Sequence, residues 1–129
     1  MTDDSLLRLM PFAVTLGVEL DTAGAAEVRG HLAWAERLCT AGGMLHGGAL
    51  MALADSLGGI CAQLNLPPGA RTATISSATV FLGGVRDGVV TGVTRPLHAG
   101  RTVIVVQTDL TDSAGRMAAQ VTQTQAVLG

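Results

Sequence analysis

The chain has 129 residues, of which 48% are hydrophobic and 14% charged, with a formal net charge of −2. That length fits one domain, taken over residues 1–129, able to bury roughly two thirds of its unfolded surface. No run of like charge and no clustered basic face is present, which excludes a nucleic-acid partner.

Asp3 or Asp4 is placed to cap a first short helix over about Ser5 to Met10, which Pro11 ends. This N-terminus is acidic before it is apolar and lacks the positive start of a secretory signal, so a cytoplasmic setting is expected. VELDTAGAAEVRGHLAW reads as a hairpin from about Val18 to Trp34 turning at Ala23-Gly24. AERLCTAGG is loop-like. MLHGGALMALADSLGG then opens a central helix of about 18 residues, or 27 Å, stopped by Pro67-Pro68-Gly69. Asp55 at its centre argues against a membrane span. A helix apolar all round must be covered all round, by a sheet on most sides and a second copy of the chain on the rest. After Gly69 the chain reads as four long strands, RTATISSATVFL, GVVTGVTRPLHA, RTVIVVQTDLTD and GRMAAQVTQTQAVL, in an antiparallel meander. Alternation is clearest where Val103, Val105, Gln107 and Asp109 oppose Ile104, Val106, Thr108 and Leu110.

Few residues can carry chemistry. Cys39 and Cys61 have no CxxC pair and no neighbouring histidine, and His31, His46 and His98 lack metal-ligand spacing, so neither metal nor disulfide framework is expected. No GxSxG, GxxxxGK[ST], HExxH or GxGxxG occurs. Asp55 lies among Met51, Ala52, Leu53, Ala54, Leu57, Ile60 and Cys61, where a carboxylate is expensive unless paired or used. It is either a functional acid or a residue on the helix's one wet edge, bonded to Ser56 or a backbone NH. His46-Gly47-Gly48 begins the helix with unpaired NH groups at the positive end of its dipole. That end can act as an oxyanion hole, or the glycines simply permit tight packing while His46 caps. Gly47 and Asp55 stand about 12 Å apart along the axis and cannot act on one carbonyl from one chain. If both act on one bond, two antiparallel copies must lie side by side, as in a two-fold dimer.

The order of hairpin, HGG-led helix and four strands resembles the hotdog-fold thioesterases of the phenylacetate-degradation (PaaI-like) group over nearly the whole chain. LHGGALMALADSLGG carries the resemblance, with the acid nine positions after the histidine; ISSATVFL and RPLHAGR add to it. The resemblance implies an α+β hotdog fold, a long central helix wrapped by an antiparallel sheet of about five to six strands. It also implies acyl-CoA thioester hydrolysis at a homodimer interface, with a homotetramer expected, CoA as part of the substrate and no separate cofactor. Under it the Gly47 NH polarises the thioester carbonyl and Asp55 of the partner chain is base or nucleophile. His46 orients or handles protons, and Gly48 lies beside it. Thr40 departs from the family's Asn or Gln and puts rate or substrate in doubt. Thr74, Phe81, Leu82, Gly83 and Gly84 would line the pantetheine channel. His98, Gly100, Arg101 and Thr102 would lie near the nucleotide end, where Arg101 either contacts phosphate or is a solvated strand-start arginine. Ser76 and Ser77 either face the acyl group or bond to backbone. A hydratase or dehydratase and a non-catalytic acyl-CoA binding module are the alternatives the same fold allows.

Overall fold

A computed structural model of the chain describes residues 3–129, with side chains from Ser5 onward, so the cap expected from Asp3 or Asp4 lies outside the described side chains. Two short helices, α1 (Asp3–Arg8) and α2 (Pro11–Leu16), precede the hairpin of β1 (Glu19–Ala23) and β2 (Val28–Ala33). Two single-turn 3-10 segments, Glu36–Leu38 and Ala41–Gly43, lead into α3 (Gly47–Leu64). Four strands follow: β3 (Arg71–Phe81), β4 (Val89–Ala99), β5 (Val103–Thr111) and β6 (Met117–Leu128). All six strands join one antiparallel sheet that wraps α3, the α+β architecture expected from the sequence.

The alternation in β5 is realised as read: Ile104, Val106, Thr108 and Leu110 are buried under α3, and their neighbours turn to the half-exposed outer face. From the helix, Leu50, Leu53, Ala54, Leu57, Ile60 and Cys61 fill the same core. Each fully buried leucine or isoleucine there contributes roughly 1.5–3 kcal/mol relative to exposure.

Two expectations need correction. Pro11 does not simply end a helix; it opens α2 at the first helical position, and Gly17 closes that helix at φ 94°. Pro at the start and Gly past the end are the pattern such a helix needs. The four C-terminal strands are not one meander. The sheet order is β1-β2-β4-β5-β6-β3, so β3 pairs with β6 at an outer edge and residues 82–88 cross over to β4. Val85 is buried in that crossing, and its carbonyl accepts from the Leu45 N–H. Alternation specifies which face a strand buries, not which strand it borders. As expected, the sheet covers most of α3 and leaves Gly48, Met51 and Asp55 exposed along one stripe, with Ala52 and Gly59 partly so. α3 is long and apolar enough by length and composition to cross a membrane, and 56% of that span is buried in this fold.

Candidate active site

The N-terminus of α3 is built by its cap. His46 is the N-cap in extended conformation (ψ 137°), and its Nδ1 accepts from the Gly48 N–H at 2.8 Å. A ring nitrogen that accepts carries no proton, so in the neutral ring the proton sits on Nε2. The His46 carbonyl takes the Ala49 and Leu50 N–H groups. Of the two glycine N–H groups expected to be open, Gly48 is therefore occupied, whereas Gly47 has no partner among the described residues. A Cβ at Gly48 would stand 2.9 Å from the His46 Nδ1, and one at Gly47 would stand 3.0 Å from the Phe81 ring. Both glycines thus allow close approach, one for the cap and one for an aromatic wall.

Around Gly47 lies a cleft of about 330 Å³ whose walls include Thr40, Met44, Leu50, Phe81, Gly83 and Gly84. The loop before the helix holds Thr40 there. Gly42 and Gly43 take φ 80° and 73°, and the turn is tied down by Trp34 Nε1 to the Gly43 carbonyl at 2.9 Å and by Arg86 to the Gly42 carbonyl at 3.1 Å. Cys39 and Leu45 bridge across its base. Five residues anticipated from the sequence, Thr40, Gly47, Phe81, Gly83 and Gly84, are thereby brought to one cleft, and Met44, Leu45 and Leu50 are additions.

Asp55 is not a wall of that cleft. It stands on the uncovered stripe of α3, and its Oδ1 accepts from Gln123 Nε2 at 2.7 Å. Asp55 thus lies on the wet edge, but its partner is not Ser56, whose hydroxyl donates to the Ala52 carbonyl at 2.8 Å. Gln123 is fully buried on β6, and no sequence motif pointed to it. The signal that was there is phase, since Ala119, Val121, Gln123 and Gln125 share the buried face of β6 and two of the four are amides. The other ionisable side chain on α3, Cys61, is fully buried, and burial pushes its thiol up to about 11. It stays protonated at neutral pH and supplies no nucleophile.

The remaining anticipated residues fall elsewhere. The Thr74 hydroxyl donates to Gln125 Oε1 at 3.1 Å, and the residue is exposed on β3. Ser77 is exposed on β3 opposite Gln123 in register, and Leu82 is 60% exposed just past the same strand. Arg101 borders a separate 440 Å³ hollow with Pro67, Pro68, Gly69 and Val127, and the Thr102 carbonyl accepts from the Val127 N–H. His98 follows a bulge in β4, and a Cβ at Gly100 would meet its Nε2 at 2.6 Å. This group borders the start of β3, whereas Phe81 ends it, so within one chain the two groups are separated by roughly 30 Å of strand. Among the described residues no group of three or more His, Cys, Asp or Glu gathers to hold a metal. An unpaired N–H at a helix N-terminus, an anchored carboxylate and a distant arginine are parts for acyl transfer, divided along one chain.

Comparison with known proteins agrees with that chemistry. The thioesterase superfamily matches residues 42–119. The 1,4-dihydroxy-2-naphthoyl-CoA hydrolase of Escherichia coli is 33% identical over 86 residues, 67% of this chain and 63% of that protein. The chain matches about half to two thirds of the length of such curated relatives. Among solved structures, a thioesterase from Haemophilus influenzae superposes with a TM-score of 0.93 at 26% identity, covering 100% of this chain and 92% of that one. A hypothetical thioesterase from Streptococcus pneumoniae, solved with coenzyme A, gives 0.85 at 26% identity over 95% of this chain and 97% of its own.

Proposed function

The chain belongs to the thioesterase superfamily, and on that premise we propose that it hydrolyses an acyl-CoA thioester to a free acid and CoA in a site shared by two antiparallel copies. The observation that carries the reading is the division of one helix: Gly47 offers a free N–H inside a cleft, and Asp55 stands outside it on the open face of α3. Two helices side by side and antiparallel would set Asp55 of one copy opposite Gly47 of the other.

In such a site the thioester carbonyl oxygen accepts from the Gly47 N–H, which holds the charge that builds on it. Asp55 takes a proton from water as the water oxygen bonds to the carbonyl carbon, and the C–S bond breaks to release CoA. In the covalent variant Asp55 attacks the carbon itself, the C–S bond breaks with CoA leaving as the thiolate, and water then opens the resulting anhydride, its proton passing to that thiolate. His46 Nε2–H is a second donor beside the carbonyl, since its Nδ1 is taken by the cap. The Thr40 hydroxyl holds the thioester or the water. The antiparallel pairing would also bring the Arg101 end of one copy to the Phe81 end of the other, placing His98, Gly100, Arg101 and Thr102 near the nucleotide. Gly48, Thr74, Phe81, Leu82, Gly83 and Gly84 would then follow pantetheine, with Ser77 near the acyl group. The E. coli relative's CoA-ester substrate and the CoA in the S. pneumoniae structure support this substrate class. A cytoplasmic setting belongs to the same proposal.

The test is free-thiol release from a panel of aryl- and alkyl-CoAs. Wild type is expected to turn over at least one member, and Asp55→Asn to lose about 100-fold or more in kcat. Equal rates for the two proteins across the panel would overturn the assignment, and binding without turnover would favour the non-catalytic module.

A further inference from the structure

Gln123 is an unusual occupant of its position. It is fully buried, its Nε2 donates to Asp55 Oδ1 at 2.7 Å, and its Oε1 is buried with no partner among the described residues. A methionine or leucine would fill that volume without an unsatisfied acceptor, so stability alone does not explain an amide there. The helix makes room for it. A Cβ at Gly58 would collide with the Gln123 amide oxygen and stand 2.9 Å from its Cδ, so this position in the middle of α3 must be glycine for the amide to lie across the helix. Two unfavourable choices, a buried amide and a mid-helix glycine, converge on one hydrogen bond, and its acceptor is Asp55.

We propose that Gln123 is a positioning residue for Asp55, with Gly58 as its seat: the buried amide fixes one carboxylate oxygen, leaving the other oxygen free to act. A short charge-assisted bond restricts the rotamer of the carboxylate it holds. Oδ2 has no partner among the described residues. No titratable side chain competes on the faces turned to α3: β2 presents Val28, Gly30 and Leu32, β4 presents Val90, Gly92 and Thr94, and β5 presents Ile104, Val106, Thr108 and Leu110. β6 presents Ala119, Val121, Gln123 and Gln125, whereas β3 and α2 carry no ionisable residue after Arg71; on α3 itself Cys61 is the other such group. What Asp55 does rests on the thioesterase reading; how it is held does not.

The experiment compares wild type with Gln123→Met, which keeps the volume, and with Gly58→Ala, which displaces the amide without altering it. Thr108→Val breaks a buried hydroxyl pair with Thr94 and serves as the control for core disturbance. Two readouts are taken: kcat and KM with an acyl-CoA that wild type hydrolyses, and the Asp55 side-chain rotamer from NMR couplings. Both Gln123→Met and Gly58→Ala are expected to lower kcat about 10- to 100-fold with KM within about twofold. In both, the Asp55 side chain is expected to lose its single rotamer, as loss of the buried donor requires. Thr108→Val leaves both readouts at the wild-type values. Retention of wild-type kcat and of a single Asp55 rotamer by both variants overturns the proposal. Rotamer averaging in protein that hydrolyses no acyl-CoA upholds the positioning role and removes the thioesterase reading instead.

Discussion

On α3 two ionisable side chains six residues apart resolve burial in opposite ways. Asp55 keeps an exposed edge and takes a buried amide as partner, whereas Cys61 stays neutral. Burial raises the Cys61 thiol from 9.0 to about 11, so above pH 9 the unfolded chain releases a proton that the folded protein retains. Its contribution to stability is therefore full below about pH 9 and is lost as pH rises toward 11, by on the order of 2 kcal/mol. Thermal melts from pH 8 to 10.5 are expected to show a shallower alkaline decline in Cys61→Ala than in wild type; parallel declines would contradict this. At this scale Asp55 and the His46-Gly47-Gly48 start could be read from the sequence, because a charge in an apolar helix and a glycine pair at its head are local anomalies. Gln123 could not, because its partner lies 68 positions away and only the folded register brings the two together.

Among elements, α3 is seated in the sheet by glycines rather than by large residues. Gly30 of β2 and Gly92 of β4 are register partners, and a Cβ at either would come within 2.7 Å and 2.6 Å of Leu57, which is fully buried. Gly30 is the stricter of the two, since its Cβ would also stand 2.8 Å from the Glu19 carbonyl oxygen. Gly30→Ala and Gly92→Ala should each destabilise by about 1–3 kcal/mol. In urea titrations Leu57→Ala should relieve part of the Gly92→Ala loss and little of the Gly30→Ala loss, because backbone cannot yield as a side chain does. Equal relief at both sites would refute the distinction. The hairpin, α3 and the existence of all four later strands were legible from period and punctuation. The helix α2 was not legible because a proline marks a helix start as readily as a stop, nor was the place of β3, because nothing local encodes a crossing.

For the whole molecule the informative feature is the outer strand β3. Ile75, Val80 and Phe81 are 62%, 57% and 51% exposed on an edge strand of 11 residues, a surface that natural sheets rarely leave unpaired. Together with the open stripe of α3 it supplies the continuous face that two antiparallel copies would share. The mass in solution is expected to be an even multiple of the chain, two copies or the four of a paired dimer; a monomer at micromolar concentration would contradict the shared site. Monomeric geometry alone separates Gly47 from Asp55 by about 12 Å of helix and the Arg101 end from the Phe81 end by about 30 Å of strand, and one two-fold axis would close both gaps.

The measurement that tests this most directly is complementation between Gly47→Pro, which removes the N–H donor at a helix position that tolerates proline, and Asp55→Asn. Each variant alone is expected to be nearly inactive. Unfolded together in equal amounts and reassembled, half the dimers are mixed and each holds one intact site of two, so about one quarter of wild-type activity should return. Heterodimers that form in full, shown by mass spectrometry, and yet hydrolyse no acyl-CoA would contradict a site made by Gly47 of one copy and Asp55 of the other.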